Sequence, residues 1–356
     1  MFLTMLLANM FGGHMISKKL LIMITALACT VTFALAGTGT DALNFLKIKP
    51  SARGASIGDG FVAISDDVNA VFYNPAGLTQ ISDLEFSLMH MVYMAETSYE
   101  YASFAMPAGD GFTIGAYVVY LNYGSIAKTT EDINGMYQAS TSSYSPNDMC
   151  VALSGALKLG EGLSFGLNVK YASESIDTSN ITGIMADAGL LTEIEDIKIG
   201  ASIYNIGTVS ADKAPMGVRF GGSTKLMAME EDDLTVAAGV NYVMASSKVS
   251  GSLGAEWNYE NFLFLRGSYS LMTDADSLNV GVGVKQDLGD MIGEVAYNFS
   301  MLGDLGSAHR ISVGVKLGEG TGNYKGKKAT SAKKPAVKST NSSNSKSTLK
   351  YYFKKK

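Results

Sequence analysis

The chain has 356 residues, with 28 Lys and Arg against 33 Asp and Glu, a net charge of −5, and two cysteines. That balance excludes a disulfide-built scaffold and offers no basic body for nucleic acid. Glycine is abundant at 39, proline scarce at 6, and 18 tyrosines and 15 phenylalanines suit strands that face lipid on one side only.

Met1 to Gly13 is apolar and uncharged. Met15 is read as the true start, because Lys18-Lys19, the apolar run from Leu20 to Ala36 and the small residues Ala34 and Ala36 then form a signal peptide over 1–36. The competing reading is a lipoprotein signal at Ala26-Leu27-Ala28-Cys29, with a shorter apolar core. Removal of the leader leaves Cys150 as the sole cysteine, so no intramolecular disulfide can form. No later run is apolar for the ~18 residues of a helical span. Charge is split: residues 319–356 hold 11 Lys and one acid, whereas 37–318 hold 15 basic and 32 acidic residues, a net of −17.

The next segment, 37–83, centres on SARGASIGDGFVAISDDVNAVFYNPAGL from Ser51 to Leu78. Gly54, Gly58 and Gly60 mark tight turns or close approaches. Ser65, Asp66 and Asp67 are expected to cap a short helix over Asn69 to Tyr73, which Asn74 must end because Pro75 follows. The segment has no strand periodicity, so it is expected to fill or close the mouth of a barrel as a compact helical plug. Its candidate residues for wall anchoring or gating are Arg53, Gly58, Asp59, Asp66, Asp67, Asn69, Asn74, Pro75 and Gly77.

From 84 to 318 the chain alternates with period two. Leu163, Phe165, Leu167, Val169 and Tyr171 oppose Ser164, Gly166, Asn168, Lys170 and Ala172, and Leu278 to Val284 and Ile311 to Leu317 repeat the pattern. Fourteen such segments are expected, at 84–95, 97–106, 111–121, 147–158, 163–173, 180–191, 195–205, 214–225, 233–245, 248–258, 261–271, 277–287, 290–300 and 308–318. Several have the ~9–11 residues that cross a bilayer at a tilt. The fold class is therefore all-β, a 14-stranded antiparallel transmembrane barrel. An even count puts both ends in the periplasm with short turns, leaving longer loops such as Asn122 to Asp148 and Glu174 to Asn180 outside. The segment 319–356 is Lys- and Ser-rich without apolar periodicity, and is expected as a disordered periplasmic tail. It reads either as a solvated extension or as a basic arm for an acidic partner.

Catalytic chemistry finds no support. His14, His90 and His309 lack metal-ligand spacing, the Gly54–Gly60 run lacks the Lys-Ser/Thr ending of a phosphate loop, and Asp59, Asp66 and Asp67 do not have calcium-loop spacing. No enzyme activity, metal or cofactor is expected, and Cys150 reads as a small packed strand residue.

Phe45 to Leu78 (FLKIKPSARGASIGDGFVAISDDVNAVFYNPAGL) resembles the N-terminal signature of the PorV/PorQ family of outer-membrane proteins. Its close, Asn74-Pro75-Ala76-Gly77-Leu78, is also similar to a motif of FadL-type long-chain fatty-acid transporters. The resemblance implies a plugged fourteen-stranded barrel in the outer membrane of a Gram-negative-type bacterium. It implies a non-enzymatic part in type IX-like protein secretion or surface attachment, with exported proteins or secretion machinery as partners. The alternative is passive transport of a hydrophobic ligand past the plug, with Phe262, Phe264 and Arg266 as candidate lumen residues. The chain departs from the usual outer-membrane ending, since its last strand closes on Leu317-Gly318 and not on a terminal aromatic.

Overall fold

A computed structural model of the chain describes residues 41–228, 232–273 and 275–318. The expected signal peptide over 1–36 and the expected tail over 319–356 lie outside the described residues. In chain order the strands are β1 (Leu84–Val92), β2 (Ser98–Gly109), β3 (Phe112–Asn122), β4 (Ile126–Glu131), β5 (Tyr137–Tyr144), β6 (Asn147–Gly160), β7 (Leu163–Ile176) and β8 (Ser179–Ile194). They continue with β9 (Ile197–Val209), β10 (Gly217–Ala228), β11 (Asp232–Val243), β12 (Lys248–Tyr259), β13 (Leu263–Leu271), β14 (Leu278–Asp287), β15 (Met291–Met301) and β16 (Ser307–Leu317). Fourteen of them close an antiparallel barrel in sequence order, and β4 and β5 form a separate hairpin. Closure runs from Leu84 opposite Leu317 to Val92 opposite His309, so the barrel sheet has no unpaired edge.

Lipid explains the alternation. On β7, Leu167, Val169 and Tyr171 are exposed on the outer wall, while Asn168 and Lys170 are buried inside. A barrel satisfies all backbone groups between strands, which is what a hydrocarbon surround demands. Among the described residues no helix is long and apolar enough to cross a membrane.

The barrel has two unlike ends. At one, strands join through short turns such as 110–111, 161–162, 195–196 and 288–290; at the other, connections include 93–97, 123–146, 210–216 and 272–277. Three expectations change. The loop expected over 174–180 is a two-residue turn, because β7 and β8 run on to Ile176 and from Ser179. β10 begins at Gly217, beyond Pro215, whose missing N–H would break a ladder. The connection after Asn122 is not irregular but carries β4 and β5. Asp132 shapes their turn by accepting from the N–H groups of Asn134 and Met136, at 2.8 and 2.9 Å.

The chain before β1 threads the lumen from end to end. Asp41 bridges to Lys213 at the long-loop end, and Lys49 pairs there with Asp276 at 3.3 Å. The chain then descends to Asp83 at the short-turn end, where Lys316 meets it at 3.1 Å.

Candidate functional site

The plug is a series of helical turns whose ends are set by single residues. α1 (Ala52–Ile57) starts at Ser51, whose hydroxyl accepts from the Gly54 N–H at 3.0 Å, and ends at Gly58, with φ 80°. α2 (Phe61–Ile64) stops at Ser65, with φ 33°. α3 (Ala70–Tyr73) stops at Asn74, held extended at φ −156° ahead of Pro75. The expected cap does not form. No side chain caps α3; Asp67 Oδ1 accepts from the N–H of Asn69, the residue before the helix, at 2.9 Å. Ser65 instead donates its hydroxyl to the Phe61 carbonyl at 2.9 Å, and Asp66 is taken by Arg53.

Asn74 is the knot of the plug. Its Nδ2 donates to the Val62 carbonyl at 2.9 Å and to the Leu190 carbonyl of β8 at 3.0 Å, and its Oδ1 accepts from the Ala76 N–H at 3.2 Å. Gly77 lies so close to Ser65 that a Cβ would collide with the Ser65 carbonyl oxygen.

Arg53 ties this unit to the wall. Its Nε and Nη2 donate to the two carboxylate oxygens of Glu256, both at 2.8 Å, while Nη1 donates to Asp66 at 2.6 Å and Asp67 at 2.9 Å. Glu256 also accepts from Arg266 Nε at 2.6 Å, and Arg266 reaches Glu294 at 3.2 Å. Bidentate, charge-assisted pairs are the strong class of hydrogen bond. Burial works against Arg53's charge, but Asp66, Glu256 and Asp67 override it and raise the guanidinium above its ordinary value. Burial would also raise Asp66; Arg53 holds that carboxyl below its ordinary value instead. Asp67 is raised, because burial and the Asp66 charge outweigh Arg53. Asp59 lies 3.5 Å from Lys49, and its N–H donates to Ser252 Oγ of β12 at 2.7 Å.

A second fixture escapes a motif search. Inward glycines of adjacent strands line up, with Gly221 paired to both Gly200 and Gly239, and Gly166 paired to Gly189. The plug backbone rests on them. A Cβ at Gly239 would strike the backbone of Asp59 and Gly60, at Gly200 that of Val62, at Gly254 that of Ile57, and at Gly166 that of Pro75.

The rest of the lumen differs at its two ends. Next to the plug, β1 to β3 present Met89, Met91, Tyr99, Tyr101, Tyr117 and Val119, all buried, against Phe72, Val71 and Leu78. Phe72 meets Tyr117 edge-on at 5.8 Å, and the Tyr99 hydroxyl is buried without a partner. Below the plug, at the short-turn end, lies a charged cavity of about 630 Å³ that reaches Arg53, Asp66, Glu85, Glu256, Lys285 and Glu294.

The structure brings Arg53, Asp66 and Asp67 into one cluster and sets Asn74, Pro75 and Gly77 against the wall around β7 and β8. Asn69 lines the charged cavity, whereas Gly58 packs against Ser252. Phe264 and Arg266 point inward and are buried; Phe262 does not, because it sits in the turn between β12 and β13 and is exposed. The wall partners Glu256, Ser252, Asn168 and Asn298 were not singled out from sequence, since only the fold places them beside the plug. Among the described residues no group of three or more His, Cys, Asp or Glu is placed to hold a metal ion. His90 and His309 face outward, paired with Glu100 and Tyr297 at 2.7 Å each.

No protein-family model matches the chain, and no curated protein matches it in sequence. Solved structures do. The Pseudomonas putida toluene transporter TodX matches with a TM-score of 0.52 at 13% identity, over 81% of this chain and 99% of that one. The Ralstonia pickettii toluene transporter TbuX gives 0.47 at 13%, covering 71% and 93%. A Pseudomonas aeruginosa FadL homologue gives 0.43 at 9%, covering 80% and 100%. The likeness to TodX speaks for the fold alone: this chain is a closed 14-stranded antiparallel β-barrel of the Gram-negative outer-membrane type, with a short helical segment at its N-terminal side.

Proposed function

We propose that the chain is an outer-membrane conduit for hydrophobic small molecules, kept shut by its own N-terminal plug. One observation carries this reading, the apolar compartment between the plug and β1 to β3. Barrel lumens are ordinarily polar, yet Met91, Tyr99, Tyr117 and Val119 are fully buried there on inward-facing positions. Aromatic and thioether side chains give an adaptable surface for an apolar solute. The unpartnered Tyr99 hydroxyl offers a hydrogen bond to a solute's polar end. The shared fold with a toluene transporter supports the same choice. Passage requires the plug to shift, because its side chains fill this compartment.

A second reading, a PorV/PorQ-like contact with exported proteins, is favoured by the β4–β5 hairpin. Its tip exposes Ile133 completely, and Met136 and Tyr137 by 66% and 74%. Exposed apolar residues clustered on a projecting tip suit a protein contact.

The test is uptake of labelled toluene and of a labelled long-chain fatty acid by cells that express the chain, against cells that do not. Uptake several-fold above control, with the ligand recovered on the purified barrel, is expected. Uptake equal to control, together with recovery of a stoichiometric protein partner that is lost when the hairpin tip is made polar, would replace this reading with the second.

A further inference from the structure

The lipid-facing side of the wall carries few acids or bases inside its strand ends. Three of them, His90, Glu100 and His309, share one corner, on β1, β2 and β16. His309 is taken up by Tyr297 at 2.7 Å and by Ser307 at 3.2 Å. His90 and Glu100 lie directly opposite each other and pair at 2.7 Å, with side chains 52% and 47% exposed. Each stands two residues from the long-loop end of its strand, a distance of ~7 Å along the chain. Charge on the outer face of a barrel is costly at depth and tolerated only close to the head groups. The pair is therefore at head-group level, open to whatever lies beside the wall.

A trough leads down from it toward the middle of the wall. Tyr120 of β3 stands in the same row as His90 and Glu100. The next row down is Leu88, Ala102 and Val118, where Ala102 puts a single methyl between longer neighbours. Below that, Phe86 and Phe104 close the trough, their ring centres 5.2 Å apart. The result is an apolar outer groove of about 380 Å³, with His90, Glu100 and Tyr120 among its lining residues. Sites for small ligands start at roughly 300 Å³. The chemistry of the polar head is specific. The Glu100 carboxylate takes the Nδ1 proton of His90, which leaves the ring's Nε2 as an acceptor. Among the described residues no donor meets that nitrogen or the second Glu100 oxygen. Two acceptors, one of them charged, match a primary ammonium, a cation with three N–H donors. Tyr120, 41% exposed beside them, has a hydroxyl that can donate to a phosphate.

We propose that this trough seats one phospholipid with a primary-ammonium head, of the phosphatidylethanolamine type. The ammonium donates to Glu100 and His90, the Tyr120 hydroxyl donates to the phosphate, and one acyl chain lies over Ala102. The site is on the outside of the wall, so it stands whether or not a solute crosses the lumen.

The test is native mass spectrometry of the full chain, released from nanodiscs that hold equal parts of three phospholipids with the same acyl chains. Phosphatidylethanolamine has the cation and its N–H donors, phosphatidylcholine the cation alone, and phosphatidylglycerol neither. One phosphatidylethanolamine should remain on each barrel, about fivefold more often than either of the others, as an exposed ion pair allows. Glu100→Gln should bring the three lipids to equal retention. Ala102→Phe fills the trough and should release all three. Equal retention by the parent protein, or a preference that survives Glu100→Gln, would overturn the proposal, and neither outcome depends on how well Ala102→Phe folds. A preferred lipid left in place by a folded Ala102→Phe barrel would overturn it as well.

Discussion

The barrel wall meets its plug in two contrasting ways. From β7 to β12 the closest contacts are backbone on backbone, at Gly166, Gly200, Gly239 and Gly254, which leave no room for a single added carbon, beside the Arg53–Glu256 fork. From β1 to β3 they are side chain on side chain, over methionines, tyrosines and a valine. The first surface is rigid, since main-chain atoms cannot rotate aside. The second is adjustable, since thioethers and rings change rotamer at small cost. A plug that moves is therefore expected to pivot on the glycine side and to open space on the aromatic side.

Gly239→Val breaks that contrast most severely. Every near neighbour of a Cβ there is backbone of Asp59 or Gly60, so the plug itself must lift. Overpacking costs about 1–3 kcal/mol where side chains can yield, and the upper end or beyond is expected here. In a planar bilayer the variant should conduct ions steadily where the parent is closed. Its plug should be cut by protease while the strands resist.

Arg53→Ala comes next. It strips Glu256, Asp66 and Asp67 of a shared cation, and losing one partner of a buried pair costs about 3–5 kcal/mol. Arg266 still pairs with Glu256, which places the loss near ~3 kcal/mol. The same protease assay should show partial release. Arg53→Lys, which keeps the charge but loses the fork, should fall between.

Met91→Leu probes the other surface. Met91 is fully buried against the plug side of the lumen, but volume-conserving exchanges usually cost less than ~1.5 kcal/mol. Plug protection should be nearly unchanged. A plug as easily released as in Gly239→Val would erase the distinction between a rigid and an adjustable side.

The contrast also explains what could be read before the fold was known. Lipid forces apolar residues to every second position, so all fourteen wall strands were legible. β4 and β5 were not, because Thr129, Thr130 and Ser140 to Ser143 are polar on both faces and leave no period. Asn74-Pro75 announced the end of α3 through a steric rule local to two residues. The pairing of Arg53 with Glu256 could not be seen, since 203 residues separate them. The glycine seat hides for a related reason: Gly200, Gly221 and Gly239 look like ordinary small lumen residues until strand register sets them side by side. Phe262 misled because parity was extended through a turn, where alternation has no meaning.

The smallest effect is one of pH, and its sign changes along the scale. Asp67 is raised in the folded plug above its ordinary 3.8. Its ionised form therefore costs stability at neutral pH, and that cost is relieved as pH falls through the raised value. Asp66 is lowered from 3.8. It contributes stability that is fully present above 3.8 and lost as pH drops through the lower folded value. Protection of the plug from protease should thus rise slightly in mild acid and fall only below 3.8. Asp67→Asn should flatten the rise and leave the fall, whereas Asp66→Asn should weaken protection at neutral pH and reduce the fall. A monotonic loss of protection from pH 7 downward in the parent protein would mean that Arg53 does not divide the two carboxylates in this way, and the latch would have to be sought instead in the glycine seat.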